Sequence, residues 1–195
     1  MKQTAIAIIL FWVFSLIYKI LSGYDSSIMQ VEEILATPNF TYWFGKDDFG
    51  RDIYFRLVDG FINSFLIIFC VTFISSISGI FIGVLSGYIG GKLDQTIKFI
   101  TTLFMSFPGI LLAIAYAAIL SPGKLNLIIA LSIGGWVGYA RLARAQTLLV
   151  KEQDFVKASQ SMGSTKSRTI FHHILPALST PMIVEATYAV AGLIF

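Results

Sequence analysis

Three stretches without one charged side chain dominate this sequence: Gly60 to Gly91, Phe99 to Gly123 and Leu125 to Ala140. A helix needs roughly 20 apolar residues to cross about 30 Å of hydrocarbon, so the runs have the scale of a bilayer. Inside lipid every backbone N–H and C=O must be paired within the protein, which leaves helices and closed barrels. Barrel strands alternate polar and apolar positions, and these runs do not. Composition agrees, with 56% hydrophobic and 13% charged residues and a mean hydropathy of +0.78, where a soluble domain averages about 25% charged. The expected fold class is an all-α integral membrane protein.

The apolar periods predict spans at about 4–22, 62–88, 98–120 and 125–142, with a fifth opening near 181. The first has no small-residue cleavage site after it, so it reads as a retained anchor rather than a secretory leader. From Pro181 only 15 residues remain, too few for an easy crossing, and the sequence is expected to be a truncated piece. Segment 23–60 is acidic (Asp25, Glu32, Glu33, Asp47, Asp48, Asp52 and Asp59 against Lys46, Arg51 and Arg56). Segment 141–173 is basic, with Arg141, Arg144, Lys151, Lys157, Lys166 and Arg168 against Glu152 and Asp154. Positive loops stay inside, so the basic segment faces the cytoplasm, the acidic one lies outside, and the amino terminus is cytoplasmic. Cys70, the only cysteine, lies within a span as packing.

Several features interrupt or decorate the spans. Ser75, Gly79, Gly83, Gly87 and Gly91 recur every four residues, a small-residue face for close helix approach that is either static or free to slide. Phe107-Pro108-Gly109 predicts a kink, and Gly134, Gly135 and Gly138 are expected to loosen the fourth span. Outside, the charged cluster Phe44 to Asp52 has the wrong ligand spacing for a calcium loop. It reads as a folded cap held by ion pairs such as Asp48–Arg51.

The cytoplasmic stretch has its own order. Phe155, Ala158, Ser159 and Met162 recur at helical spacing; Gly163 can end that helix, and Ser164 or Thr165 can cap a second with Ile170, Phe171, Ile174 and Leu175 as its apolar face. Pro176 is expected to end the motif. On periodicity alone, a pair of helices resting on the lipid surface and binding nothing is the favoured reading. Gly163-Ser164-Thr165-Lys166-Ser167 lacks the spaced glycine of a phosphate loop. Adjacent His172 and His173 diverge by about 100° on a helix, a poor arrangement for sharing a metal ion.

This stretch resembles the coupling motif of the permease subunits of bacterial ABC importers: Glu-Ala-Ala, three residues, Gly, nine residues, Ile, one residue, Leu-Pro. Here it falls on Lys157-Ala158-Ser159, Gly163, His173, Leu175 and Pro176; Lys157 and Ser159 depart from the family's residue types, and His173 takes the isoleucine place in a His-Ile-Leu-Pro run similar to the form common in the peptide/nickel branch. Gly45, Asp47, Gly50, Arg51 and Asp52 are similar to the external signature of the second permease subunit in the peptide/nickel branch, with Lys46 in place of a threonine. The resemblance implies a type I importer bundle of about five spans with its C-terminal part missing. Residues 1–60 would form an N-terminal span plus external segment, and 61–195 the transmembrane core with its coupling loop at about 150–178.

The resemblance further implies a bacterial inner-membrane, multi-pass subunit of an ATP-driven importer, with no catalytic residue and no cofactor of its own. ATP and Mg would sit on two partner ATPase subunits, or a dimer. A second homologous permease subunit and an extracytoplasmic solute-binding protein complete the expected assembly; lipid surrounds it and nucleic acid has no part. Di- or oligopeptides are the expected solutes, with nickel or another small solute as the alternative; a membrane enzyme or secondary carrier is the competing class. Glu185, a carboxylate about 13 Å beyond Pro176 at 1.5 Å per residue, is costly in lipid. It reads either as pathway lining or as a buried hydrogen-bonding group.

Overall fold

The computed structural model describes residues 2–194. Helix α1 spans Lys2–Ser22, α2 Ile53–Ile89, α3 Gly91–Met105, α4 Gly109–Ile119, α5 Lys124–Lys151, α6 Asp154–Ser161, α7 Lys166–Thr169 and α8 Leu175–Ile194. A 3-10 turn covers Val31–Glu33, and a π-helical turn, Ile170–Ile174, joins α7 to α8. Among the described residues the only extended pairing is an isolated antiparallel bridge between Lys46 and Asp52. Among the described residues, three continuous helices are long and apolar enough to cross a bilayer: Ile53–Ile89, Lys124–Lys151 and Lys166–Ile194.

Helix α2 begins nine residues earlier than the apolar pattern predicts. Asp52 explains the early start: its Oδ1 accepts from the amides of Tyr54 (2.8 Å) and Phe55 (3.4 Å), satisfying donors that the first turn leaves unpaired. Its 37 residues extend about 55 Å at 1.5 Å each, more than a bilayer requires. Gly90 and Gly91, at φ 71° and 61°, turn the chain into α3. Gly91 therefore leaves the small-residue face expected to include it.

The third expected span is divided. Helix α3 stops at Met105, and α4 starts after Pro108, whose missing N–H and bulky ring end the preceding ladder. Helix α5, by contrast, passes Gly134, Gly135 and Gly138 without interruption, so the expected loosening does not occur. The predicted stop at Pro176 is also absent, because the helix continues from Lys166 to Ile194. The turn before this proline is already widened: the Leu175 amide donates five residues back to the Ile170 carbonyl. That π-type turn accommodates a ring that would otherwise collide with the carbonyl four residues earlier.

The chain forms two compact units, Met1–Leu66 and Ile67–Phe195. In the first, buried Tyr54, Phe55 and Val58 collect Trp12, Leu16, Tyr18, Tyr24 and Ile62. In the second, α5 is the hub on which α3, α4, α6 and α8 pack. Its core is Val84, Tyr139, Ala143, Ile174, Leu178 and Met182.

Candidate functional site

The motif residues between Asp154 and Pro176 meet at one corner. Helix α6 ends where the Met162 amide donates to the Ala158 carbonyl, and Gly163 follows at φ 90°, a left-handed conformation that glycine adopts without a Cβ penalty. Thr165 caps α7 by accepting from the Arg168 amide at 3.3 Å. Across the corner, Ser159 Oγ lies 2.7 Å from Ser164 Oγ and 3.0 Å from His173 Nε2, while the Phe155 ring meets the His173 imidazole edge-on at 5.8 Å. Ser159, where the family pattern has alanine, and His173, at its isoleucine place, are thus partners of each other. Lys157 pairs with Glu152 at 3.0 Å on the exposed surface, which holds the Glu152 carboxyl below its usual range.

Helix α6 does not bury the face that its periodicity predicts. Val156 and Ser159 turn inward, whereas Ala158 is exposed, Phe155 is 53% exposed and Met162 83%. On the next helix Ile174 is buried, Ile170 and Leu175 half-buried, and Phe171 faces out. Pro176 is exposed. An eight-residue helix has too few turns for periodicity alone to decide which side packs.

The glycine-rich segment 44–56 folds around one carboxylate. Asp47 Oδ1 accepts from the amides of Phe49 and Arg51, both at 2.9 Å. Its Oδ2 takes the Arg51 Nε at 2.9 Å and the Arg56 guanidinium. Arg51 therefore pairs with Asp47, not with Asp48 as expected. Partial burial would raise the Asp47 carboxyl; the two amides and two guanidinium groups outweigh it and hold the carboxyl at about 2. Asp52 behaves oppositely: burial raises it against the amides it caps and the nearby Lys46.

Gly45 and Gly50 are required by geometry. Both have left-handed φ, 74° and 69°, and a Cβ at either would lie 2.5 Å from the Ala36 carbonyl oxygen or 2.0 Å from that of Gln30. Lys46, which the pattern marked only as a substitution, is fully buried and pairs with Glu33 and Gln30, its ammonium 3.9 Å from the Tyr42 ring centre. Burial alone would lower its pKa, but Glu33 and Tyr42 outweigh that and raise it. A lysine in a glycine-rich, acidic turn was the available signal.

The glycine face of α2 lies directly on α5. A Cβ on Gly79 would sit 2.5 Å from the Trp136 carbonyl oxygen, on Gly83 2.3 Å from that of Ala140, and on Gly87 2.8 Å from that of Arg144. Such separations are shorter than real side chains tolerate, so these positions admit only hydrogen. From α5, Gly135 receives Ser75, and Gly138 receives Glu185, whose Oε1 would be 2.6 Å from an added Cβ. Half-buried Glu185 is thereby placed in the α5/α8 seam. His172 is exposed, and the described residues hold no cluster of three or more His, Cys, Asp or Glu side chains suited to a metal.

Residues 79–195 match a family described as the binding-protein-dependent transport system inner membrane component. The chain belongs to that family. It is similar to the dipeptide transport system permease protein DppC of Alkalihalophilus pseudofirmus, at 40% identity over 78% of this chain and 50% of the relative. It is also similar to the oligopeptide transport system permease protein OppC of Bacillus subtilis, at 33% over 97% of this chain and 62% of the relative. A glutathione transport system permease protein, GsiD of Pectobacterium atrosepticum, matches at 33% over 84% and 55%. The chain thus spans about half to two thirds of the length of these relatives.

This inner-membrane component holds a charge knot that the motif reading missed. On α3, Asp94 receives Arg144 of α5 through both nitrogens of one edge, Nε to Oδ1 and Nη2 to Oδ2 at 2.7 Å, and Ser86 of α2 donates to it at 2.6 Å. Beside it the Lys151 ammonium donates to the Gly87 carbonyl at 2.9 Å. Three helices are tied at one point, with the bidentate geometry that makes arginine pairs strong. Asp94 is the only acid between Asp59 and Glu152, and that isolation was the overlooked clue.

Proposed function

We propose that this chain is a permease subunit of an ATP-driven importer of di- or oligopeptides, forming part of the solute path and coupling to separate ATPase subunits. The observation that carries this reading is the exposed apolar surface of α6. Phe155 and Met162 stand out from a helix that Val156 and Ser159 anchor to the bundle. Exposed apolar groups on an anchored corner suit a partner's groove, and burying each contributes about 1.5–3 kcal/mol. The continuous helix Lys166–Ile194 then carries the corner's displacement into the membrane. Coupling of this kind requires different contacts in two states.

The names of the relatives support peptides as the solute class. In this reading the chain binds no cofactor and catalyses no reaction; ATP and Mg belong to two ATPase subunits. A second permease subunit completes the path, and an extracytoplasmic binding protein delivers solute to the side bearing Asp47. The amino terminus and α6 face the cytoplasm of a bacterial inner membrane, and residues 61–195 form the transmembrane core. Glu185 contributes to a path that favours cationic or zwitterionic solutes.

The test is co-purification of the ATPase with the complete permease pair. Phe155→Ser is expected to weaken ATPase association at least about tenfold, equivalent to about 1.4 kcal/mol, while the subunit still inserts. Undiminished association after Phe155→Ser combined with Met162→Ser would sink the proposal.

A further inference from the structure

Three residues with buried hydroxyls line one half-open gap in the helical seam. Ser75 is 2% exposed and Tyr139 1%; with Thr72 they line a cavity of about 220 Å³ bounded also by Leu131, Gly135, Ala189 and Gly192. None of the three hydroxyl oxygens has a hydrogen-bond partner among the described residues. Serines nearby on α2 solve the same problem differently: Ser76 and Ser78 donate to the carbonyls of Phe73 (3.0 Å) and Ile74 (2.7 Å). Thr72 and Ser75 forgo that option, although it is open to any helical hydroxyl.

Leaving a buried hydroxyl unsatisfied costs more than an ordinary hydrogen bond contributes, so three in one cavity cost several times the worth of an ordinary contact. Water needs two to four polar partners and a share of roughly 30 Å³ of liquid volume. The cavity supplies both: three hydroxyls, each able to donate and accept, and room for several molecules. We infer that the α2/α5/α8 seam is a binding site for a cluster of ordered water that completes the hydrogen bonding of Thr72, Ser75 and Tyr139. Glycines at 135 and 192 and alanine at 189 keep the space open by having almost nothing to put in it. Water partners can re-pair as helices shift, which a direct bond between two side chains cannot do without breaking.

The test uses the complete permease subunit in lipid nanodiscs. Hydroxyl radicals generated by X-rays oxidise side chains beside bound water, so Tyr139 is expected to be modified at least about tenfold faster than Phe73, a phenylalanine on the outer side of α2. Independently, Tyr139→Phe and Ser75→Ala are each expected to lower the unfolding temperature by about 2–4 °C. A dry seam, or one filled by apolar groups, predicts the reverse sign, because removing an unpaired hydroxyl relieves its burial. Tyr139 as unreactive as Phe73, or a rise in unfolding temperature for both variants, overturns the inference.

Discussion

Ser159, a departure from the motif, is met by His173 across the corner. An alanine and an isoleucine at these two places would pack without polar contact, whereas here a hydroxyl and an imidazole meet at 3.0 Å. A net hydrogen bond contributes about 0.5–1.5 kcal/mol. Ser159→Ala and His173→Ile are each expected to destabilise the subunit, and the double variant to cost about 0.5–1.5 kcal/mol less than their sum. Thermal unfolding of all four forms measures the coupling; strictly additive costs would show that the pair is incidental. Asp47 gives a pH prediction of definite sign. Its folded-state pKa, about 2, lies below the ordinary 3.8, so its contribution is fully present above about pH 4 and is lost as pH falls toward 2. Hydrogen exchange across residues 44–56 is expected to rise in that window, and Asp47→Asn to abolish the rise.

Helix α2 owes its position to what it lacks. Wherever Gly79, Gly83 or Gly87 meets α5, a backbone carbonyl occupies the space of a side chain, and neither backbone can yield without breaking its own ladder. Gly83→Ala is expected to cost about 1–3 kcal/mol by overpacking. Gly134→Ala, where an added Cβ meets nothing within 4 Å, is expected to be neutral or slightly stabilising. Thermal unfolding of the two variants side by side separates packing from helix propensity; equal effects would argue against the close approach. The four-residue spacing showed this face in the sequence because small residues have few other reasons to repeat in register with a helix. It did not show that the face ends at Gly87, since the turn at Gly90 and Gly91 uses the same residue type for an unrelated purpose.

At the scale of the whole chain, the charge-free runs, the Pro108 break and the Gly163 corner were legible because each follows from one local rule. The rest depended on neighbours distant in sequence. Asp47 and Asp48 are equivalent by position, and the Gly50 turn against Gln30 decides which one faces the arginines. Pro176 reads as a stop until the π turn at Ile170–Ile174, with Ile174 buried in the core, makes room for its ring. Arg144 and Asp94 lie fifty residues apart, beyond any periodic signal. The continuity of the helix from Lys166 onward has a mechanical consequence. Glu185 lies 19 residues along it, about 28 Å at 1.5 Å per residue, so a tilt of about 10° at the Lys166 end swings the carboxylate through about 5 Å. A lever arm of that length converts a small rotation at one end into a stroke as wide as an amino-acid side chain.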